Sequence, residues 1–444
     1  MVGVVAALAV AAGGAVVQPA AARPAAAAQP AAEVSAAAAR PPQLDPAAPL
    51  PDPARLTGVL APLLSSPALG NRSAALVVDA LTGAVLIDSG GHDPVAPASS
   101  AKLIVAAGAL HVLGAESRLE TAVRRAADGT LYLVGGGDAT LTTGAAGAPQ
   151  RARLQDLATG VARTGARPVP RVLVDTSLFT GPQLAPGWKA NYVTEGDVAP
   201  VQALEVDGGR ESPGVGNAPR SADPALAAGN AFVAMLRGAG VPVASAQVTR
   251  GVAAPAAPVV ATVTSPPIRD LVEEMLTNSD NDLAESLGRL VAVKLGLPPS
   301  FRGAADADLR VLDMLGVPTG GLVLRDVSGL SVDDRIAPAT LLAVLGAAYG
   351  AGHPELRPMF AGLPVAGLTG KLSERFREPQ ARNGSGVVRA KTGHRAGVDA
   401  LAGQAVDADG RLLFFAILAP APSDDAGDRG LDIAAAALAA CGCR

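Results

Sequence analysis

Aromatic side chains make up only 2% of this 444-residue sequence, and there are just four histidines and two cysteines. Basic charge is in no surplus either, with 36 Lys and Arg against 40 Asp and Glu and a net charge of −4. A chain without basic patches or interleaved aromatics is a poor nucleic-acid binder, so no nucleic-acid partner is expected. The histidines stand scattered at positions 92, 111, 353 and 394, with no His-Glu-x-x-His among them. Cys441 and Cys443, in Ala-Cys-Gly-Cys-Arg, cannot complete a tetrahedral zinc site by themselves, so neither a metal nor a cofactor is expected. They read instead as inert or locally paired thiols. Two motifs are also missing. Without Gly-x-Gly-x-x-Gly, the run Gly135-Gly136-Gly137-Asp138 is a structural turn and not a dinucleotide site. Without a Gly-x-Ser-x-Gly elbow, a Ser-His-Asp hydrolase using His92 or His394 as base is disfavoured.

Hydrophobic residues, at 49%, supply ample core, and the chain is long enough for two or more structural units. Residues 2–17 are uncharged and apolar until Gln18-Pro19. The run is too short for a comfortable span of about twenty residues and suits a signal-peptide core, though no Lys or Arg precedes it. The Ala/Pro-rich stretch that follows, to about residue 53, reads as a disordered tether. Export is therefore expected, with any membrane contact made only through an uncleaved leader.

Folded sequence begins near Arg55. Residues 74–90 hold two apolar runs around Asp79-Ala80-Leu81-Thr82-Gly83, a hairpin signature. Ala98 to Leu113 reads as an amphipathic helix. Between about 119 and 262, short strands such as 131–134 and 172–174 sit among Gly/Pro turns. Helical periodicity returns over Ile268–Leu295. Residues 412–418 read as a buried strand and 431–440 as a closing helix. The pattern divides the chain into a leader and linker (1–53), the first part of a mixed α/β domain (54–118), an insert (119–262) and the rest of that domain (263–444).

Lysine occurs only at 102, 189, 294, 371 and 391, which makes each one informative. Ser99-Ser100-Ala101-Lys102 is the only S-x-x-K. At the first turn of a helix it sets Lys102 beside Ser99, where a neutral amine could take the hydroxyl proton. Helix-terminal N–H groups there could meet a developing oxyanion. Ser279-Asp280-Asn281 lies between two helices and is the only S-x-N. Lys391-Thr392-Gly393, unique as well, reads as an edge strand offering a cation, a hydroxyl and open backbone to an extended peptide. Taken singly, each also reads as an ordinary cap or surface lysine. Together, in this order, they form the signature of the penicillin-binding protein and serine β-lactamase superfamily.

Further blocks extend the likeness: 99–110, 131–141, 174–179, 199–209, 326–331, 363–376 and 388–403. Over residues 54–444 the sequence resembles the D-alanyl-D-alanine carboxypeptidase/endopeptidases, the class C low-molecular-mass penicillin-binding proteins (peptidase family S13), and actinobacterial members in particular. The resemblance implies an α/β (α+β) fold, with an antiparallel transpeptidase-type sheet flanked by helices and a mainly-β insert. It implies an extracytoplasmic enzyme acting on peptidoglycan peptides ending in D-Ala-D-Ala and acylated by β-lactams. Ser99 would be the nucleophile, Lys102 its base and Ser279 a proton relay. Asn281, Lys391, Thr392 and Gly393 would bind substrate, and the residue after Gly393 would complete the oxyanion hole. That residue is His394, where the family usually has Thr. A like charge at Lys391 is expected to help lower the pKa of Lys102. The rival readings are a serine β-lactamase and an inactive wall-binding scaffold. Against the first, 180 positions separate Ser99 from Ser279 (279 − 99), leaving room for an insert.

Overall fold

The computed structural model describes residues 44–70, 73–144, 151–420 and 425–442. The apolar run 2–17, most of the linker after it and Cys443 lie outside the described residues. Cys441 is engaged in a disulfide.

The strand β10 (Leu412–Ala419) is buried along its whole length. Successive side chains of a strand point to opposite faces, and here each face has its own core. Leu412, Phe414, Ala416 and Leu418 enter one apolar cluster, while Leu413, Phe415, Ile417 and Ala419 enter another. Each large side chain so buried contributes about 1.5–3 kcal/mol. β10 pairs antiparallel with β1 (Ala74–Asp79) and β9 (Val398–Val406), and the sheet is completed in the order β2-β1-β10-β9-β8. β2 (Val85–Ser89) returns from β1 through the expected hairpin, whose turn is held by Asp79 accepting from the backbone and hydroxyl of Thr82. The edge strand β8 (Arg389–Arg395) carries Lys391, Thr392, Gly393 and His394.

One face of this sheet is covered by α1 (Pro53–Leu64) and α10 (Ala426–Ala440), through residues such as Leu56, Leu60 and Leu431. The other face carries α2 (Lys102–Gly108), α5 (Ile268–Asn278), α6 (Asn281–Lys294), α7 (Phe301–Met314), α8 (Pro338–Tyr349) and the short α9 (Met359–Gly362). The segment expected as one amphipathic helix, Ala98–Leu113, differs from that reading. It is a 3-10 turn (Ala98–Ala101), α2, and a π turn (Ala109–Leu113), and every residue of α2 is buried. Its run Leu103–Ala107 is apolar all round, and a helix of that kind belongs inside.

The second sheet, β6-β5-β4-β3-β7, takes all its strands from residues 120–264. β3 (Glu120–Arg125) lies antiparallel to β4 (Leu131–Val134) and β7 (Val259–Thr264). β5 (Val172–Asp175) is parallel to both β4 and β6 (Thr249–Arg250). Parallel neighbours require crossovers. These are α3 (Leu154–Arg163) and α4 (Pro224–Gly238), so the expectation of a mainly-β segment is corrected to mixed α/β. Both helices pack on the sheet in a core of their own that includes Val123, Leu133, Val174, Leu157 and Phe232.

Candidate active site

Three elements bring the motif residues together. The first is the turn before α2. Ala98 is held at a left-handed φ of 44°, which a side chain adopts only at a cost, and Ser99 follows it. Two glycines admit this turn. A Cβ on Gly329 would lie 1.9 Å from the Ala98 carbonyl oxygen, and one on Gly393 would lie 2.8 Å from that of Pro97. The second element is the break between α5 and α6. Ser279 ends α5 in the left-handed conformation (φ 60°), and the Asp280 side chain caps α6 by accepting from Leu283 N. That reversal sets Ser279 and Asn281 at one helix junction. The third is β8.

Lys102 is fully buried, and its Nζ has three oxygen neighbours: Ser99 Oγ at 2.9 Å, Asn281 Oδ1 at 2.6 Å and the Ser328 carbonyl at 2.7 Å. Burial pushes its pKa down to about 8. The carboxylates of Asp326, Glu285, Asp280 and Asp282 oppose a deeper fall. A neutral amine in this position can donate to Asn281 and Ser328 and turn its lone pair to the Ser99 hydroxyl. The Asn281 amide is oriented in turn by donating to the Asp197 carbonyl at 2.8 Å.

Lys391 is fully buried as well, donating to Ser279 Oγ at 2.9 Å and to the Thr392 carbonyl at 2.6 Å. Burial lowers its pKa well below the ordinary lysine value, and the charges of Lys102 and Lys371 lower it further. The expected coupling therefore runs the other way. The lowering of Lys102 comes from burial, and the repulsion between the two amines is felt at Lys391. Ala390 N donates away from β9, to Pro364 O, so by strand alternation the N–H groups of Thr392 and His394 face the same open edge.

His394 is exposed, and its Nδ1 lies 2.6 Å from Oδ1 of the buried Asp399, its cross-strand partner. That hydrogen bond raises the imidazole pKa against the opposing effect of burial. Beside Ser279 and Asn281 opens a cleft of about 650 Å³, lined by charges of both signs that include Asp197, Arg210, Arg220 and Lys371.

The structure thus joins Ser99, Lys102 and Asn281 through Lys102 Nζ, and Ser279 to Lys391, with Thr392, Gly393 and His394 following on β8; Ser279 and Asn281 line the cleft. Sequence reading missed their supports. Glu285 Oε1 accepts from Val327 N at 3.1 Å and Ser328 N at 2.8 Å, so it fixes the loop that offers the Ser328 carbonyl to Lys102. Asp326 ties the same loop by accepting from Gly329 N, Ser331 N and Trp188 Nε1. A signal did exist for Glu285: it stands four residues after Asn281, on the same helical face.

The fold is shared with a penicillin-binding protein. The crystal structure of penicillin-binding protein 4 from Haemophilus influenzae superposes with a TM-score of 0.69 at 23% identity, covering 86% of this chain and 98% of that one. The sequence matches the D-Ala-D-Ala carboxypeptidase 3 (S13) family over residues 56–219 and 210–440, and the chain belongs to that family. It is 41% identical to carboxypeptidase DacB of Mycolicibacterium smegmatis over 411 residues, 90% of this chain and 87% of that protein. It is 30% identical to the D-alanyl-D-alanine carboxypeptidase of Actinomadura sp. strain R39, covering 79% of this chain and 78% of that one. The chain is accordingly a serine-type D-Ala-D-Ala carboxypeptidase, a hydrolase of the cell wall that acts outside the cytoplasm. The lactamase and scaffold readings are not favoured.

Proposed function

We propose that Ser99 is acylated by peptidoglycan stem peptides ending in D-Ala-D-Ala, with neutral Lys102 taking its proton. Ser99 Oγ attacks the carbonyl of the penultimate D-Ala while its proton passes to Lys102 Nζ. The oxyanion forms between the N–H groups of Ser99 and His394. Lys391, Thr392 and His394 hold the terminal carboxylate, whose negative charge draws the proton back onto Lys391. Asn281 holds the substrate amide. The C–N bond then breaks, Ser279 relays a proton to the departing D-Ala amine, and water hydrolyses the acyl-enzyme. A β-lactam acylates Ser99 by the same attack, but its leaving group stays tethered. The observation that carries this reading is the fully buried Lys102, with a pKa of about 8, at 2.9 Å from Ser99 Oγ.

The test labels one sample with a fluorescent penicillin and incubates a separate, unlabelled sample with a muropeptide ending in D-Ala-D-Ala. A stable adduct that Ser99→Ala abolishes, together with released D-Ala, is the expected result. Rapid turnover of the drug, or no label on the wild type, would overturn it. We also infer that residues 2–17 direct export, that the chain works as a secreted or leader-anchored enzyme, and that 119–262 is an insertion into a domain formed by 54–118 and 263–444. Fractionating cells that express the full chain, with and without residues 2–17, tests the export. Among the described residues no helix is long and apolar enough to cross a membrane.

A further inference from the structure

Two of the four histidines, widely separated in the chain, meet on one carboxylate that does not line the active-site cleft. His111 Nδ1 lies 2.8 Å from Glu355 Oε1, and His353 Nδ1 lies 3.2 Å from the same oxygen. The two imidazoles stand edge to face, with centroids 5.5 Å apart. His111 sits in the π turn Ala109–Leu113 that ends the helical run begun at Ser99, and π turns inside helices often mark functional positions. Its neighbours Ala109 and Leu110 are buried, whereas the His111 side chain is 25% exposed. His353 and Glu355 come from the turn after α8, with side chains 27% and 35% exposed.

We propose that His111, His353 and Glu355 bind a divalent transition-metal ion of the zinc type. Two imidazoles and one carboxylate form a ligand set typical of zinc with an open position, and imidazole disfavours magnesium and calcium. The donor atoms of the three side chains lie within 4.8 Å of one another. Metal–ligand bonds of about 2.0–2.2 Å at tetrahedral angles place neighbouring donors roughly 3.3 Å apart. The observed separations of 2.8 and 3.2 Å need widen only slightly to admit the ion. In the metal-free protein the carboxylate accepts from the Nδ1–H groups, and the ion would replace those protons. Partial exposure leaves a route of entry and a place for a bound water. His111 is twelve positions along from Ser99 (111 − 99), about 18 Å on a helical path, so the ion would clamp the far end of this run to the turn after α8. A second grouping, His394 with Asp399 and Asp428, carries only one imidazole, and Asp428 already pairs with Arg375.

The experiment uses the full chain, stripped by a chelator and titrated with Zn²⁺ against a chromophoric competitor. One bound equivalent and a rise in Tm are expected. His111→Ala and His353→Gln should each weaken binding by roughly ten-fold or more, with fluorescent-penicillin labelling of Ser99 unchanged. If His111→Ala does not fold, the surface variant His353→Gln decides. Equal binding by wild type and His353→Gln would overturn the proposal and leave an ordinary histidine–glutamate ion pair. Loss of binding in His394→Ala instead would also overturn it, by placing the ion beside the cleft.

Discussion

At the scale of the residue, proton affinity is set by burial more than by neighbours in sequence. A lysine of pKa about 10.4 is neutral in only about one molecule in 2,500 at pH 7. Near 8, the value for Lys102, the neutral fraction rises to about a tenth. With the neutral form as the proposed base, acylation by a penicillin should rise with pH through about 8 and level off above it, as stopped-flow labelling can follow. Lys102→Ala should slow acylation by about 10²–10⁴-fold. Lys391→Ala should also slow it, through the lost carboxylate contact, but without moving that inflection, because the repulsion between the two amines falls on Lys391. An inflection that shifted upward in this variant would show the opposite coupling. His394 provides a second pH signature. Asp399 raises its pKa, which favours an imidazolium beside the proposed carboxylate site. His394→Ala should therefore lower kcat/KM for D-Ala-D-Ala substrates most in acid and least in alkali.

At the scale of the element, the site depends on close approaches of backbone. Gly329 presses on the Ala98 carbonyl, where a Cβ would sit 1.9 Å away. Gly329→Ala must push the Ser99 turn out of place, and both penicillin labelling and Tm should fall. Wild-type labelling in that variant would mean the turn is not constrained by this contact. The α5–α6 break depends on a cap. Asp280→Ala removes the acceptor for Leu283 N, and urea unfolding should show a loss of about 1 kcal/mol.

At the scale of the whole molecule, one buried ion pair joins distant segments of the chain. Arg411 reaches Asp79 with Nε at 2.5 Å and Nη2 at 2.7 Å, and its Nη1 donates to the carbonyls of Pro46 and Ala48. Arg411→Ala would leave Asp79 unpaired at 0% exposure and should cost about 3–5 kcal/mol in chemical denaturation. Burial alone would raise the Asp79 pKa, but hydrogen bonds from Arg411 and Thr82 outweigh it and hold it below its ordinary value. A depressed carboxyl stabilises the fold above its unfolded pKa, about 3.9, and that contribution disappears as pH falls through the lower folded value. Acid unfolding of Arg411→Ala should accordingly begin at a higher pH than in the wild type.

The order Ser99, Lys102, Ser279, Asn281, Lys391, Thr392 was legible in the sequence because each motif is local. Lys102 shares a helical face with Ser99, and Lys391 precedes Thr392 on one strand. The strand 412–418, the hairpin at 79–83 and the helical segments around Ser279 were legible for the same reason: periodicity and turn chemistry act over a few residues. Tertiary structure alone decided which distant groups face each other. It set the Ser328 carbonyl and Asn281 on Lys102, Glu285 behind the loop at 326–331, Asp399 against His394, and two scattered histidines on Glu355. The parallel pairing of β4, β5 and β6, with the crossover helices it requires, was hidden likewise. Burial, hydrogen-bond partners and proton affinity are properties of a packed environment, and a linear pattern does not contain them.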